Sequence, residues 1–361
     1  MKKSPVLYIF TPVYLNKHNM EINMKNVTKA GISALAGALA FTSANAGDVS
    51  ITGSMIASYT NLGGYNTTGN PFGLNKELSI TGSGELDNGT SLAYKQTVTG
   101  AFAYNDSELV FSNLPMLGSA TLALTSTGSP LDAIDDKTPI AFEEANAAVG
   151  SIDDVAGVNG TYGIRYTLAD IGGSGFTLDA MYVPKHGTGD AANEKGTSGD
   201  VAGTQANDDG YDVVLTGAVP AVEGLNIGLG YSKLSKNDIL AADQGVDEGT
   251  AYATYAIGGF TVGYQKGAVA SSGTAETAYL NEYVGVSYAI SDDLSVSYNR
   301  IESRKSSDAV GDAVDQEIDS ISLSYTVGGM TIGVLDAEAD NAAYTRGRTQ
   351  SATSVQMSVA F

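Results

Sequence analysis

Residues 351–361 read SATSVQMSVAF, and the alternation within them decides the fold. Val355, Met357, Val359 and Phe361 share one parity; Ser354, Gln356, Ser358 and the small Ala360 share the other. A period of two over about ten residues is a β-strand with one apolar and one wet face. About ten residues is also what a tilted strand needs to cross a bilayer. The strand stops on an aromatic residue of the apolar parity. By itself this stretch fits a secreted β-sandwich equally well.

Composition narrows the choice. The 361 residues could hold two soluble domains or one barrel. The formal charge of −21 argues against nucleic acid, which requires basic patches. With Cys 0 there is no disulfide framework, cysteine metal site or cysteine nucleophile. After residue 46 no apolar run approaches about eighteen residues, so a helical membrane span is excluded.

Residues 24–46 read as a signal peptide: Lys25 and Lys29 form a short basic region, and residues 30–41 form a small apolar core. Ala44-Asn45-Ala46 follows as an A-x-A cleavage signal. Cleavage is expected after Ala46, so that Gly47 opens the mature domain, residues 47–361. Residues 1–23 match no part of a signal peptide and read as a mis-assigned upstream extension, with translation starting at Met24; a long genuine leader is the alternative. Loss of five lysines and Glu21 would bring the charge to about −25.

From Gly47 onward one device repeats: an alternating strand, a tight turn, an alternating strand, then a long polar loop. The turns Gly258-Gly259, Ser291-Asp292-Asp293 and Gly328-Gly329 are the clearest. The loops at 185–210, 235–248, 268–281, 304–317 and 341–351 are rich in Gly, Ser, Asp, Asn and Thr. Strands are expected near 48–59, 76–85, 90–99, 103–112, 118–126, 161–169, 175–184 and 211–219, and again near 224–234, 249–257, 260–267, 282–290, 293–303, 318–327, 330–338 and 352–361. Short turns at one end and long loops at the other are the mark of a transmembrane barrel, and about sixteen strands is an even count that returns both termini to one side. One face of the strands carries Leu229, Tyr231, Val262, Tyr264, Val284 and Ile321, which suit lipid; the other carries Gln265, Ser297, Asn299 and Ser320, so the lumen reads as wet. Tyr255, Phe260, Tyr288, Tyr325 and Phe361 fall at turn-side ends, and Tyr182, Tyr211, Tyr231, Tyr264 and Tyr298 near loop-side ends, as two interfacial belts require. In 103–112, Asn105 falls on the parity of Leu109 and Phe111, which predicts either a bulge or a misplaced strand boundary.

On these features the chain resembles the general porins of Gram-negative bacteria: all-β, antiparallel up-and-down barrels of sixteen strands, assembled as trimers. The likeness rests on the A-x-A signal, the hairpin and loop rhythm, terminal Phe361 and one long loop after the fifth strand. It implies outer-membrane localisation, passive diffusion of small hydrophilic solutes and ions, a homotrimer in outer-membrane lipid, and Phe361 as the signal read by the barrel-assembly machinery. The small or flexible Val49, Ile51, Met55, Ala57, Val355 and Met357 suit a subunit contact.

The resemblance also implies that the loop after strand five folds into the barrel and sets a pore constriction. Here that loop is 128–160, with Asp132, Asp135, Asp136, Glu143, Glu144, Asp153 and Asp154 against the single Lys137. Leu131, Ile134, Ile140, Phe142 and Val149 are numerous for an exposed loop and need something to pack on; an acidic external loop is the plainer reading. Residues 142–148 read as a short helical turn. Parity places Lys95, Arg165, Asp179 and Asp212 on the inner wall. The family carries a denser arginine cluster there, and its absence shifts the expected preference toward cations.

Chemistry has little support. After cleavage His186 is the one histidine, it lies in a loop, and no triad or P-loop pattern is visible, so no catalytic residue is assigned. Residues 172–176 open like a calcium-solenoid repeat, but Phe176 stands where a ligand Asp should follow. No cofactor is expected; Ala206-Asn207-Asp208-Asp209-Gly210 offers only hard oxygens of the kind that hold calcium weakly. Two other functions compete with the open pore. A secreted, calcium-stabilised adhesin or surface-layer protein would share the acidity but not the one-sided turns. A substrate-selective barrel, for example for a sugar or a carboxylate, is the other; a sugar path tends to be lined by aromatics, and Tyr252 and Tyr283 read as inward without forming a continuous run.

Overall fold

The computed structural model describes residues 48–100, 103–115, 117–150, 152–158, 162–186, 207–236, 243–273, 277–307 and 314–361. The upstream residues 1–23, the signal peptide with Ala44 and Ala46, and Gly47 lie outside the described residues. Val49–Phe361 forms one unit. Its strands in chain order are β1 (Val49–Gly64), β2 (Phe72–Glu85), β3 (Ser91–Thr99), β4 (Tyr104–Ser112), β5 (Ala120–Thr125), β6 (Gly163–Leu168), β7 (Phe176–Val183) and β8 (Asn207–Ala218). They continue as β9 (Leu225–Lys236), β10 (Asp243–Ile257), β11 (Phe260–Gly273), β12 (Thr277–Ala289), β13 (Leu294–Ser307), β14 (Val314–Val327), β15 (Met330–Asp340) and β16 (Thr349–Ala360).

Each strand pairs antiparallel with its sequence neighbours, and β16 pairs with β1, closing a sixteen-stranded barrel. Closure satisfies every edge, which a sheet in hydrocarbon must do. The seam is the stretch that opened the sequence reading: Ser54 registers with Ala360 and Tyr59 with Val355. Phe361 N–H donates to the Gly53 carbonyl at 2.9 Å, and Gly53 N–H returns a bond to the Phe361 carbonyl at 2.8 Å.

All sixteen strands fall where the alternation places them. The loop-side ends run further than expected: β8 starts at Asn207, β10 at Asp243, and β11 reaches Gly273. Above the membrane both faces of a strand meet water, so the ladder continues without the apolar alternation that revealed it. Asn207–Gly210, read from the sequence as part of a loop with hard-oxygen calcium ligands, is therefore the start of β8. The bulge in β4 is where Asn105 put it: Thr97 pairs with Asp106 and Val98 with Tyr104, leaving Asn105 as the extra residue. The stretch at 172–176 is a turn, with Gly172, Gly173 and Gly175 all at positive φ. The ten belt aromatics are all exposed on the outer face.

The inner face differs from the expectation of a uniformly wet lumen. Ile301, Ile318, Leu335, Ala337, Ala339 and Ala352 point inward and are buried. Something inside the barrel covers them.

Candidate functional site: the loop inside the barrel

What covers them is the segment between β5 and β6. It runs out along the inner wall from β8 to β16 and returns to β8. Both ends meet one residue, Asp212 on β8, whose carboxylate accepts the Ser129 hydroxyl and the Val158 N–H, the latter at 3.2 Å. On the way out, Gln265 of β11 donates to the carbonyls of Ile134 at 2.8 Å and Asp135 at 2.6 Å and accepts from Lys137 N–H at 2.7 Å. On β13, Asn299 donates to the Pro139 carbonyl at 3.0 Å, and Ser297 accepts from Ala141 N–H at 2.9 Å. At the far end the amide of Gln356 on β16 donates to Glu143. On the way back Asn281 of β12 donates to the Asp153 carbonyl at 2.9 Å, and the Tyr283 hydroxyl donates to Asp154. Glu248 of β10 accepts the N–H groups of Ala156 and Gly157 at 2.9 and 2.6 Å.

Apolar packing joins these bonds. Leu131, Ile134 and Val155 pack on Val214, with Tyr252 against them. Ala145, Val149, Ile152 and Phe142 pack on the apolar inner wall of β12–β16. Residues 142–149 are a chain of turns rather than the expected helical turn, with i to i+3 bonds from Ala147 to Glu144 and Val149 to Asn146. A single 3-10 turn falls at Asp132–Ile134 instead. The wall also carries glycines beneath the loop: a Cβ on Gly230 would meet Leu131, on Gly263 Pro139, and on Gly333 the Phe142 ring. Glycine inside a strand marks close approach of another group, and this inward row was the missed signal for where the loop lies.

The acidic residues fall into two groups. Asp132, Glu144 and Asp153 are exposed; Asp135, Asp136, Glu143 and Asp154 are half-buried. Desolvation against the barrel wall, reinforced by Asp136, pushes half-buried Asp135 up to about 8 and, although its side chain also reaches water, Glu144 up to about 7. Burial also raises Asp132, and it raises Asp154 against the opposing hydrogen bonds from Tyr283 and Asn281. Lys137 is paired with Asp136 at 3.2 Å.

The wall residues differ in what surrounds them. Asp212 points inward but is fully buried under the loop, so it anchors rather than lining water. Arg165 is gripped by Asp179 across the β6–β7 pair, with Nε at 2.9 and 3.1 Å from its two oxygens. Lys95 is exposed on the inner face and registers with Glu108. Tyr252 and Tyr283 are covered by the loop and form no aromatic path. His186 is buried, its Nε2 donating to the Ser235 carbonyl at 2.7 Å.

A closed sixteen-stranded barrel with two aromatic belts and a loop folded along its inner wall defines an outer-membrane channel. The family model for Gram-negative porins matches residues 32–337, so the chain belongs to that family and to the bacterial outer membrane. No curated protein sequence matches it. Among solved structures it is similar to OmpF of Salmonella typhi in complex with daunomycin, with a TM-score of 0.64, 10% identity and coverage of 87% of this chain and 98% of that one. It is likewise similar to the anion-selective porin from Comamonas acidovorans, with a TM-score of 0.60, 16% identity and coverage of 87% and 100%. A third is the trimer form of OmpT, an outer membrane protein of Vibrio cholerae, with a TM-score of 0.60, 10% identity and coverage of 87% and 99%. At these identities the likeness is one of fold.

Proposed function

We propose that the protein is a non-enzymatic, cation-preferring diffusion pore whose constriction is formed by the loop after β5. The observation that carries this reading is the charge balance around the lumen. Asp132, Asp135, Asp136, Glu143, Glu144, Asp153 and Asp154 sit on a loop held inside the barrel, while Lys137 is paired with Asp136 and Arg165 with Asp179. Lys95 stands beside Glu108, so the wall offers little positive charge to oppose the loop. Low-dielectric walls focus such a field and concentrate counter-ions. Because one structural neighbour is an anion-selective porin, preference must be argued from this chain's own side chains.

The working unit in this reading is a homotrimer. β5 and β6 have 6 residues each, below the roughly nine to eleven that a crossing strand needs, so this side of the wall requires cover. Nearby, Lys76 lies exposed in the outward row between Leu74 and Leu78, with no ion pair among the described residues. A lysine there is costly against lipid and acceptable against a second subunit.

Reconstitution tests the pore directly. The purified protein should add stepwise, ohmic conductance to planar bilayers and swell liposomes in small sugars but not in large ones. It should also migrate faster unheated than boiled. Folded, membrane-fraction protein that conducts nothing would refute the proposal.

A further inference from the structure

We infer that the turn between β15 and β16 is a latch for the loop inside the barrel, with Tyr344 as its positioning residue; this rests on reading that loop as the constriction. The turn adopts a backbone its sequence disfavours. Asn341, Ala343 and Tyr344 lie at φ 53°, 52° and 54°, in the left-handed region. Asparagine tolerates that region, but alanine and tyrosine pay for it through contact between Cβ and the backbone. Such residues persist only where their surroundings over-determine them, and they cluster where position matters to function. Here the surroundings are visible. Asn341 Nδ2 donates to the Asp315 carbonyl at 2.8 Å, its Oδ1 accepts from Gly347 N–H at 2.8 Å, and Gln316 Oε1 accepts from Tyr344 N–H at 3.3 Å.

The forced conformation turns Tyr344 onto the returning limb of the loop. Its hydroxyl accepts the Asp153 N–H at 3.0 Å and lies 2.7 Å from Ser303 Oγ. Ser303 donates to Asn281 Oδ1 at 2.5 Å, and Asn281 Nδ2 holds the Asp153 carbonyl. With the serine proton directed at Asn281, the tyrosine proton goes to Ser303, leaving a lone pair for Asp153. Both peptide groups of Asp153 are thus held by one closed circuit. The ring is seated independently of the hydroxyl, 5.3 Å from Tyr279 between centroids. That separates the two roles: the ring belongs to the turn, and the hydroxyl belongs to the loop.

Single-channel recording of the assembled protein tests this with two variants and one control. Tyr344→Phe keeps the ring and removes both hydroxyl bonds; a severalfold rise in open-channel current noise is expected, with the heating temperature that unfolds the barrel unchanged. Ala343→Gly removes the backbone penalty without touching the hydroxyl and should keep wild-type noise. Wild-type noise in Tyr344→Phe, or equal noise in both variants, would overturn the latch. In the same recordings the Asp135→Asn/Glu144→Gln pair reads the parent proposal. If that pair shifts the reversal potential while Tyr344→Phe is silent, the latch alone is wrong; if neither changes anything, the loop is not the constriction.

Discussion

Arg165 on β6 is committed to Asp179 on β7, its Nε 2.9 Å from one carboxylate oxygen and 3.1 Å from the other. A forked pair of this kind is a neutral unit to a passing ion. Replacing Asp179 by Asn should uncover the guanidinium and remove a carboxylate, and both changes weaken cation preference. Replacing Arg165 by Gln should strengthen the preference, and the double variant should return to about the wild-type reversal potential. Reversal potentials that neither single variant moves would mean that the pair does not face the permeating ions.

Selectivity should rise with pH. Asp135 at about 8 and Glu144 at about 7 hold protons near pH 6 and release them by pH 9, adding two charges to the loop. In the unfolded chain the same groups ionise near 3.8 and 4.5. Their folded values are raised, so their contribution to loop seating is complete below about pH 4 and is lost as pH climbs through 7 to 8. Reversal potentials in a KCl gradient should therefore grow between pH 6 and pH 9, and Asp135→Asn/Glu144→Gln should flatten that growth. A flat profile in the wild type would contradict the placement of these two carboxyls.

Most of the barrel was legible in the sequence because lipid enforces strict alternation: Val355, Met357 and Phe361 must face out, and a one-residue slip would invert the whole strand. The loop's anchors were not legible. Asp212, Glu248, Gln265 and Asn281 share the parity of lumen-facing polar residues, and nothing local says that a loop rather than water will meet them. Ile318 and Leu335 break that polar parity, and with Gly230, Gly263 and Gly333 they mark the track of the loop. Arg165 and Asp179 were both read as inward; their pairing needed the register of β6 against β7, which places Thr167 opposite Asp179 and Arg165 two residues along on the same face.

Phe361 should matter more to assembly than to stability. Its ring is 67% exposed, so its removal forfeits less than about 2 kcal/mol of burial, too little to open a closed barrel. Phe361→Ala should accumulate as protease-sensitive periplasmic chain. The ring also lies where a Cβ on Gly53 would stand, at 2.6 Å, so Gly53→Val should displace it and give a milder form of the same defect. Wild-type outer-membrane levels of Phe361→Ala would contradict the assembly role.

Gly333 should report on loop seating. A Cβ there would collide with the Phe142 ring, so Gly333→Val must lift that ring from the wall. The expected result is an assembled barrel with altered single-channel conductance, whereas Gly84→Ala, on β2 with open space around it, should leave conductance unchanged. Unaltered conductance in Gly333→Val would mean that Phe142 does not hold the loop.

The central claim is that carboxylates on the loop inside the barrel set ion preference, and the zero-current potential in a dilute KCl gradient at alkaline pH tests it most directly. Dilute salt matters because at about 1 M the Debye length is near 3 Å, which hides wall charges from a passing ion. The wild-type channel should show a potential of cation sign, and neutralising Asp135, Asp136, Glu143 and Glu144 together should move it toward zero. A potential of chloride sign in the wild type, or one that those four substitutions leave in place, would contradict the account.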